Sequence, residues 1–417
     1  MNRVLPMILA AFIVFAASVV APFVARAEYW PGWRGPHRNG VTSDRGVPLE
    51  WTATAGVRWK IALPGSGISN PIIWNNRVIC TCSDGAQQQD LHIVCLDRDH
   101  GKELWHTRLW GTAPTLYHES KSSMASPSPI TDGEHVFAFF GTGDLFCLDL
   151  EGQLIWQRSL AAEYGPFENR FAASSSPLLF EDTVILQCDH YGASYLVAID
   201  KLTGKNRWKT DRPEVWLSWS SPVCTPAASG DATELIVCGS EKIDGFEPRD
   251  GRKLWTFRGM ARECIPTPLV VDGSIYATSG PAGTTYALRT NERSGDAEPE
   301  VAWSYARGNP YVPSAILTEG VYYLVDDHGI ATALDAQTGK PLWRKRLEGD
   351  FTASPVAADG RVYFTNEAGV TIVIRAGAKM YEELARNAIG EPVYASAAIA
   401  GGHFFQRSAT HLWCLGD

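Results

Sequence analysis

Several things are missing from this 417-residue chain. No cysteines or histidines cluster at metal-ligand spacing, which argues against a structural zinc site. No Gly-x-Ser-x-Gly elbow is present, so the common serine-hydrolase arrangement has no anchor. Gly141-Thr142-Gly143 follows an apolar run but opens no helix, which excludes a dinucleotide loop there. No amphipathic helical stretch of useful length appears. Basic residues are outnumbered, 37 Lys and Arg against 46 Asp and Glu. That balance argues against nucleic acid or an anionic lipid surface as partner.

The chain is instead rich in a short recurring phrase. Cys95-Leu96-Asp97 leads to Gly101-Lys102-Glu103-Leu104-Trp105, and Cys147-Leu148-Asp149 leads to Gly152 and Trp156. Ala198-Ile199-Asp200 leads to Thr203-Gly204-Lys205 and Trp208, and Ala333-Leu334-Asp335 to Thr338-Gly339-Lys340 and Trp343. A small residue, an apolar residue and Asp, then a Gly turn and a strand bearing Trp, make one β-hairpin. Trp59, Trp105, Trp156, Trp208, Trp255, Trp303 and Trp343 recur at intervals of 40 to 52 residues. That period holds four short strands, one propeller blade.

A second phrase counts the units independently. A small polar residue before Pro or Ala opens each unit: Asn70, Ser128, Ser176, Ser221, Thr267, Ser314, Ser354 and Ser396. Eight openings predict an all-β, eight-bladed β-propeller of four-stranded antiparallel blades. These opening residues should begin the innermost strands and form a polar collar on the axis. The last unit, ending in His411–Leu415, lacks a Trp strand, while Val57–Ile61 is such a strand with no unit before it. Pairing the two closes the ring and removes two sheet edges. One unit conflicts with this pattern: Lys379–Ala385 has helical propensity where the ring demands an outer strand, and the ring is taken to win.

The expected organisation is a signal peptide over 1–27, an N-terminal extension over 28–56 and the propeller over 57–417. Arg3, the apolar Leu9–Val20 and Ala25-Arg26-Ala27 read as a cleaved export signal, the alternative being a retained anchor. Cleavage removes Arg3 and Arg26 and no acid, taking the formal charge from −9 to −11. No lipid-attachment Cys follows. A periplasmic or secreted monomer without a transmembrane span is expected. The nine cysteines read mostly as packed small residues, because Cys95, Cys147 and Cys414 fill the slot held elsewhere by Ala198 and Ala333. One or two bridges are the alternative. Asp97-Arg98-Asp99-His100-Gly101 has the look of a calcium-loop start, but its place in the repeat makes it a turn.

The Ala-Leu-Asp-x-x-Thr-Gly-Lys-x-x-Trp phrase, best matched by Ala333–Trp343 and Ala198–Trp208, resembles the tryptophan-docking repeat of pyrroloquinoline quinone (PQQ) type propellers. The resemblance runs from about Trp59 to the end. The opening Trp30–Gly40 resembles the start of many exported proteins bearing this repeat. The family has an enzymatic branch, the quinoprotein alcohol dehydrogenases, and a non-catalytic branch in the bacterial outer-membrane β-barrel assembly machinery. The dehydrogenases typically carry adjacent cysteines over the cofactor, and this chain has no Cys-Cys pair. Their calcium ligands find no matching positions here. The resemblance therefore implies an exported binding scaffold without cofactor or metal, facing an envelope protein or peptide. The alternative is a PQQ- and calcium-dependent dehydrogenase with a divergent site. Candidate binding residues lie in the irregular stretches between repeats: His118, Glu119, Lys121, Glu168, Asn169, Arg170, Asp189, His190, Arg212, Trp216, Trp219, Arg262, Glu263, Asp327 and His328. They are charged or aromatic, and Arg and Trp are the types that carry binding energy at interfaces.

Overall fold

In a computed structural model of the chain, eight four-stranded antiparallel sheets form the blades of a β-propeller. The structure describes residues 29–113, 115–118, 121–226, 233–280, 283–290 and 297–416. The expected signal peptide and Glu119 lie outside the described residues. Blade 1 comprises strands Ile72–Trp74, Arg77–Asp84, Asp90–Asp97 and Glu103–Trp110. Blades 2 to 7 follow over 130–159, 178–211, 223–258, 269–305, 316–346 and 356–388, each running in sequence order from inner to outer strand. Blade 8 takes its first three strands from 398–415 and its outer strand from Val57–Ala62. Trp59 pairs with Cys414 across that closure.

One position explains the small-residue slot. In each blade the residue opposite the outer-strand Trp is small: Cys95, Cys147, Ala198, Gly245, Ala287, Ala333 and Cys414. The cysteines are therefore packing residues. All nine are free, and burial pushes the thiols of Cys95, Cys147 and Cys414 up to about 12. Blade 7 exchanges the sizes, with Val373 facing Ala385. Its outer strand Glu383–Ala388 overrides the local helical propensity, because an unpaired third strand would leave a sheet edge open.

Six of the seven tryptophans dock on the next blade. Trp59, Trp105, Trp156, Trp208, Trp303 and Trp343 donate their indole N–H to the carbonyls of Arg98, Leu150, Lys201, Pro248, Ala336 and Ala378. The repeat glycine lies beneath the ring. Gly152 has φ +82°, and a Cβ there would stand 2.6 Å from Trp105 Cδ2. Trp255 also directs its N–H at a partner, Glu234 Oε2 of its own blade, 3.1 Å away. Gly245 leaves room for the indole to lie back over its own sheet, where a Cβ would be 2.2 Å from Trp255 Cε2.

The closure is also held by charge. Glu391, on the blade 7–8 connection, meets Lys60 of the closing strand at 2.6 Å and His411 of blade 8 at 3.0 Å. Burial alone would raise its pKa, but the bonds from Lys60 and Ser408 and the adjacent His411 outweigh it and hold it at about 2. A folded value below the ordinary carboxylate range stabilises the ring above about pH 4.5 and loses that contribution as pH falls towards 2. Melting temperature should therefore fall more steeply between pH 5 and 3 in the wild type than in Glu391→Gln. Parallel acid profiles would remove this pair from the closure.

The segment before the ring forms a strap beneath it. Trp30 exchanges backbone hydrogen bonds with Ile73 of blade 1, and Pro31 O accepts from Thr131 N of blade 2. Arg38 reaches Leu179 O of blade 3, and Gly40 O accepts from Ala357 N of blade 7. Trp51 packs on Phe404 of blade 8. Arg34, 2% exposed, donates to the carbonyls of Pro355, Asn39 and Ala315. Burial lowers its pKa to about 9, so it stays a cation at neutral pH. No helix among the described residues is long and apolar enough to cross a membrane.

Candidate functional site

The blade openings meet around the axis. Asn70 N donates to Ser128 Oγ, Ser128 N to Ser176 Oγ and Ser176 N to Ser221 Oγ. On the other half Thr267 N donates to Ser314 Oγ, Ser314 N to Ser354 Oγ and Ser354 N to Ser396 Oγ. Only a short hydroxyl can accept from the adjacent blade where eight strands converge. The collar residues are all at least nine-tenths buried.

Above the collar lies a cavity of about 220 Å³. Trp33 of the strap lines it from below, its Nε1 donating to Thr267 Oγ1 at 2.9 Å. The strap thus closes one end of the channel and leaves a one-mouthed pocket. Phe171, Trp219, Tyr311 and Tyr394 form aromatic walls, with Ile68, Ile265 and Val312 between them. Phe171 meets Trp219 edge-on at 5.7 Å, and Trp219 Nε1 is fixed on Ala172 O. Lys121 stands at the wall, bound to Thr352 Oγ1 and Glu367 Oε1. Asp327 accepts from Tyr311 N at 2.6 Å and from Val312 N. Burial raises its carboxyl pKa. Glu263 accepts the Tyr311 hydroxyl, and burial and that carboxylate push the phenol up.

The sequence-chosen residues separate into four groups. Lys121, Trp219 and Asp327 line the pocket, with Glu263 one bond behind Tyr311. Asp189 and Arg212 form a buried pair, Arg212 Nη1 donating to both carboxylate oxygens at 2.6 Å, with Asp244 3.5 Å from the guanidinium. His190 is buried too. Its Nδ1 accepts from Gly192 N and faces Glu168 N, which fixes it as a neutral acceptor, and burial lowers its pKa. Asn169, next to Glu168 in sequence, is buried as well. Arg170, Trp216 and Arg262 lie on the exposed rim, where Arg262 sits 4.4 Å over the Trp216 ring and Arg170 5.8 Å over Tyr191. Glu168 is exposed on the loop of Arg170, His118 is exposed on the connection between blades 1 and 2, and His328 pairs with Asp350 at 3.2 Å. Trp33, Phe171, Tyr311, Tyr394 and Tyr191 were not chosen. The density of Trp, Arg and Gly in Trp30–Gly40 was the available signal for Trp33.

Comparison with known proteins bears on this geometry. The family described as outer membrane protein assembly factor BamB matches residues 38–215, 192–317 and 239–389, most of the chain. The chain belongs to this family. It is 26% identical over 282 residues to the outer membrane protein assembly factor BamB of Yersinia pestis, covering 64% of this chain and 65% of that one. It is 24% identical over 296 residues to the tetrathionate hydrolase of Acidithiobacillus ferrooxidans, covering 66% and 53%. The matches thus span less than two thirds of these relatives' own lengths. Among solved structures, BamB from Moraxella catarrhalis superposes with TM-score 0.62 at 15% identity, over 86% of this chain and 96% of that one. The quinohemoprotein alcohol dehydrogenase of Comamonas testosteroni does so with TM-score 0.66 at 12% identity, over 93% and 80%. At such identities the likeness is one of fold.

The donor set of this BamB-family chain does not fit a calcium–quinone pair. Among the described residues no three His, Cys, Asp or Glu side chains converge as metal ligands. The carboxylates nearest the pocket are engaged by N–H and O–H donors of their own chain.

Proposed function

We propose that this chain is an exported, non-catalytic propeller of the cell envelope that holds a protein partner against its mouth-side rim, as an assembly factor does. The carrying observation is the exposed pair of arginine–aromatic stacks on neighbouring blades, Arg262 over Trp216 and Arg170 over Tyr191. Trp216 is 48% exposed, and Trp and Arg are the side chains whose burial contributes most at interfaces. The family membership supports the same reading, because the relatives named as assembly factors share the ring and its repeats.

A photoreactive side chain at position 216 or 191 tests it in cells, with position 338 on the opposite face as reference. Adducts with outer-membrane assembly proteins should come from the rim positions and not from 338, and Arg170→Ala should weaken them. Equal labelling from both faces would refute a rim interface. A tight complex with PQQ in the presence of Ca²⁺, abolished by Glu263→Ala, would replace the scaffold with the dehydrogenase reading.

A further inference from the structure

The axial pocket has a chemistry of its own, separate from the rim. Its base is a set of oriented hydroxyls. Ser176, Ser221, Ser314, Ser354 and Ser396 each accept a backbone N–H from the preceding blade opening. An oxygen so occupied still carries its own proton. No acceptor among the described residues takes those protons, and the five side chains line the cavity. They are donors without a protein partner, each at least nine-tenths buried.

The lining and its donors together narrow the class of ligand. Lys121, the cation at the wall, is bound by Glu367. Asp327, on the wall, has no ion pair within 4 Å among the described residues, so the lining offers no free cation to hold an anion. A quaternary ammonium has no oxygen to accept from the O–H donors at the base. What remains is a neutral molecule with many oxygens. Such a molecule must also present apolar faces, because Trp33, Phe171, Trp219, Tyr311 and Tyr394 surround it. A pyranose ring has this make-up: C–H faces for the aromatic walls and ring and hydroxyl oxygens for the serine donors. Its outward hydroxyls can donate to Asp327.

We infer that the axial pocket binds a neutral sugar ring, entering as the terminal residue of a glycan because Trp33 closes the far end. The cavity of about 220 Å³ holds one such ring and not an extended chain.

Two tryptophans in the pocket make binding visible in intrinsic fluorescence. The full mature protein is titrated with methyl glycosides of glucose, galactose and N-acetylglucosamine, with sulfate and tetramethylammonium as charged probes. At least one glycoside should shift the emission saturably, and Trp33→Phe should remove most of the change. Tyr394→Ala should weaken that glycoside about tenfold or more, and Phe171→Ala likewise. Tyr394 makes no hydrogen bond that its loss would orphan, so the fold tolerates the change. Leu202→Ala, 58% exposed and outside the pocket, should leave the affinity unchanged. Saturable binding of a charged probe but of no glycoside overturns the inference, and so does the absence of any saturable shift. A glycoside affinity indifferent to both Tyr394→Ala and Phe171→Ala places the sugar elsewhere and overturns it equally. None of these outcomes depends on the protein-docking reading.

Discussion

Trp208→Ala should destabilise the ring by about 3–5 kcal/mol, the range for emptying a buried indole site. The side chain is 9% exposed and packs in the cluster between blades 3 and 4 with Leu235, Val237 and Phe246. Its N–H bonds Pro248 O at 2.9 Å, and Gly251 beneath it would place a Cβ only 2.5 Å from Trp208 Cε3. Removal therefore opens a cavity and orphans a carbonyl at once. Urea unfolding of the variant measures the loss. Trp110→Ala is the matched comparison, because that residue is 62% exposed and its loss should stay within about 0.5 kcal/mol. A Trp208 variant as stable as the Trp110 variant would show that the docking indole does not hold neighbouring blades together.

Arg212→Ala should cost about 3–5 kcal/mol for a different reason. Arg212 and Asp189 are both almost wholly buried, and Asp244 and Lys242 continue the network. Deleting the guanidinium leaves Asp189 desolvated without its cation, while Asp244 keeps Lys242 at 3.6 Å. Burial already raises the Asp189 pKa despite Arg212 and the Gln187 amide. The double change Arg212→Met with Asp189→Leu should recover part of the loss, since an apolar pair of similar volume avoids the uncompensated charge. A functional consequence follows. Arg212 begins the connection that carries Trp216 to the rim and Trp219 to the pocket, so the single variant should loosen both. A double variant no more stable than Arg212→Ala would mean that the cost lies in lost packing and not in charge.

The distance from sequence to structure differs among these features. The blades were readable because the repeat writes the same local interactions many times over: a Gly turn, a small residue, a Trp opposite it. The closing strand was readable from two incomplete units that complement each other. Blade 7 required the ring to override local preference, and the exchange of Trp and small residue for Ala385 and Val373 shows how volume was conserved across the pair. The behaviour of Trp255 was hidden. Its recorded partner, Glu234, stands 21 residues earlier on another strand of the blade, and no local signal at Trp255 reports that it faces the indole.

The candidate site was less legible. Loop residues were selected by type, and type does not say which way a loop turns. Asp189, His190 and Arg212 have the chemistry of a binding site but lie beneath the surface, where they fix loops. Trp33 lies before the repeats, and only the return of the strap across the ring carries it to the axis. The sequence by itself determined the fold, the number of blades and the closure, because these follow from short-range patterns repeated at a fixed period. Tertiary structure alone decided which side chains meet at the axis, which charges are buried and which end of the channel is shut. Those outcomes join residues far apart in the chain, and only the closed ring sets their separation.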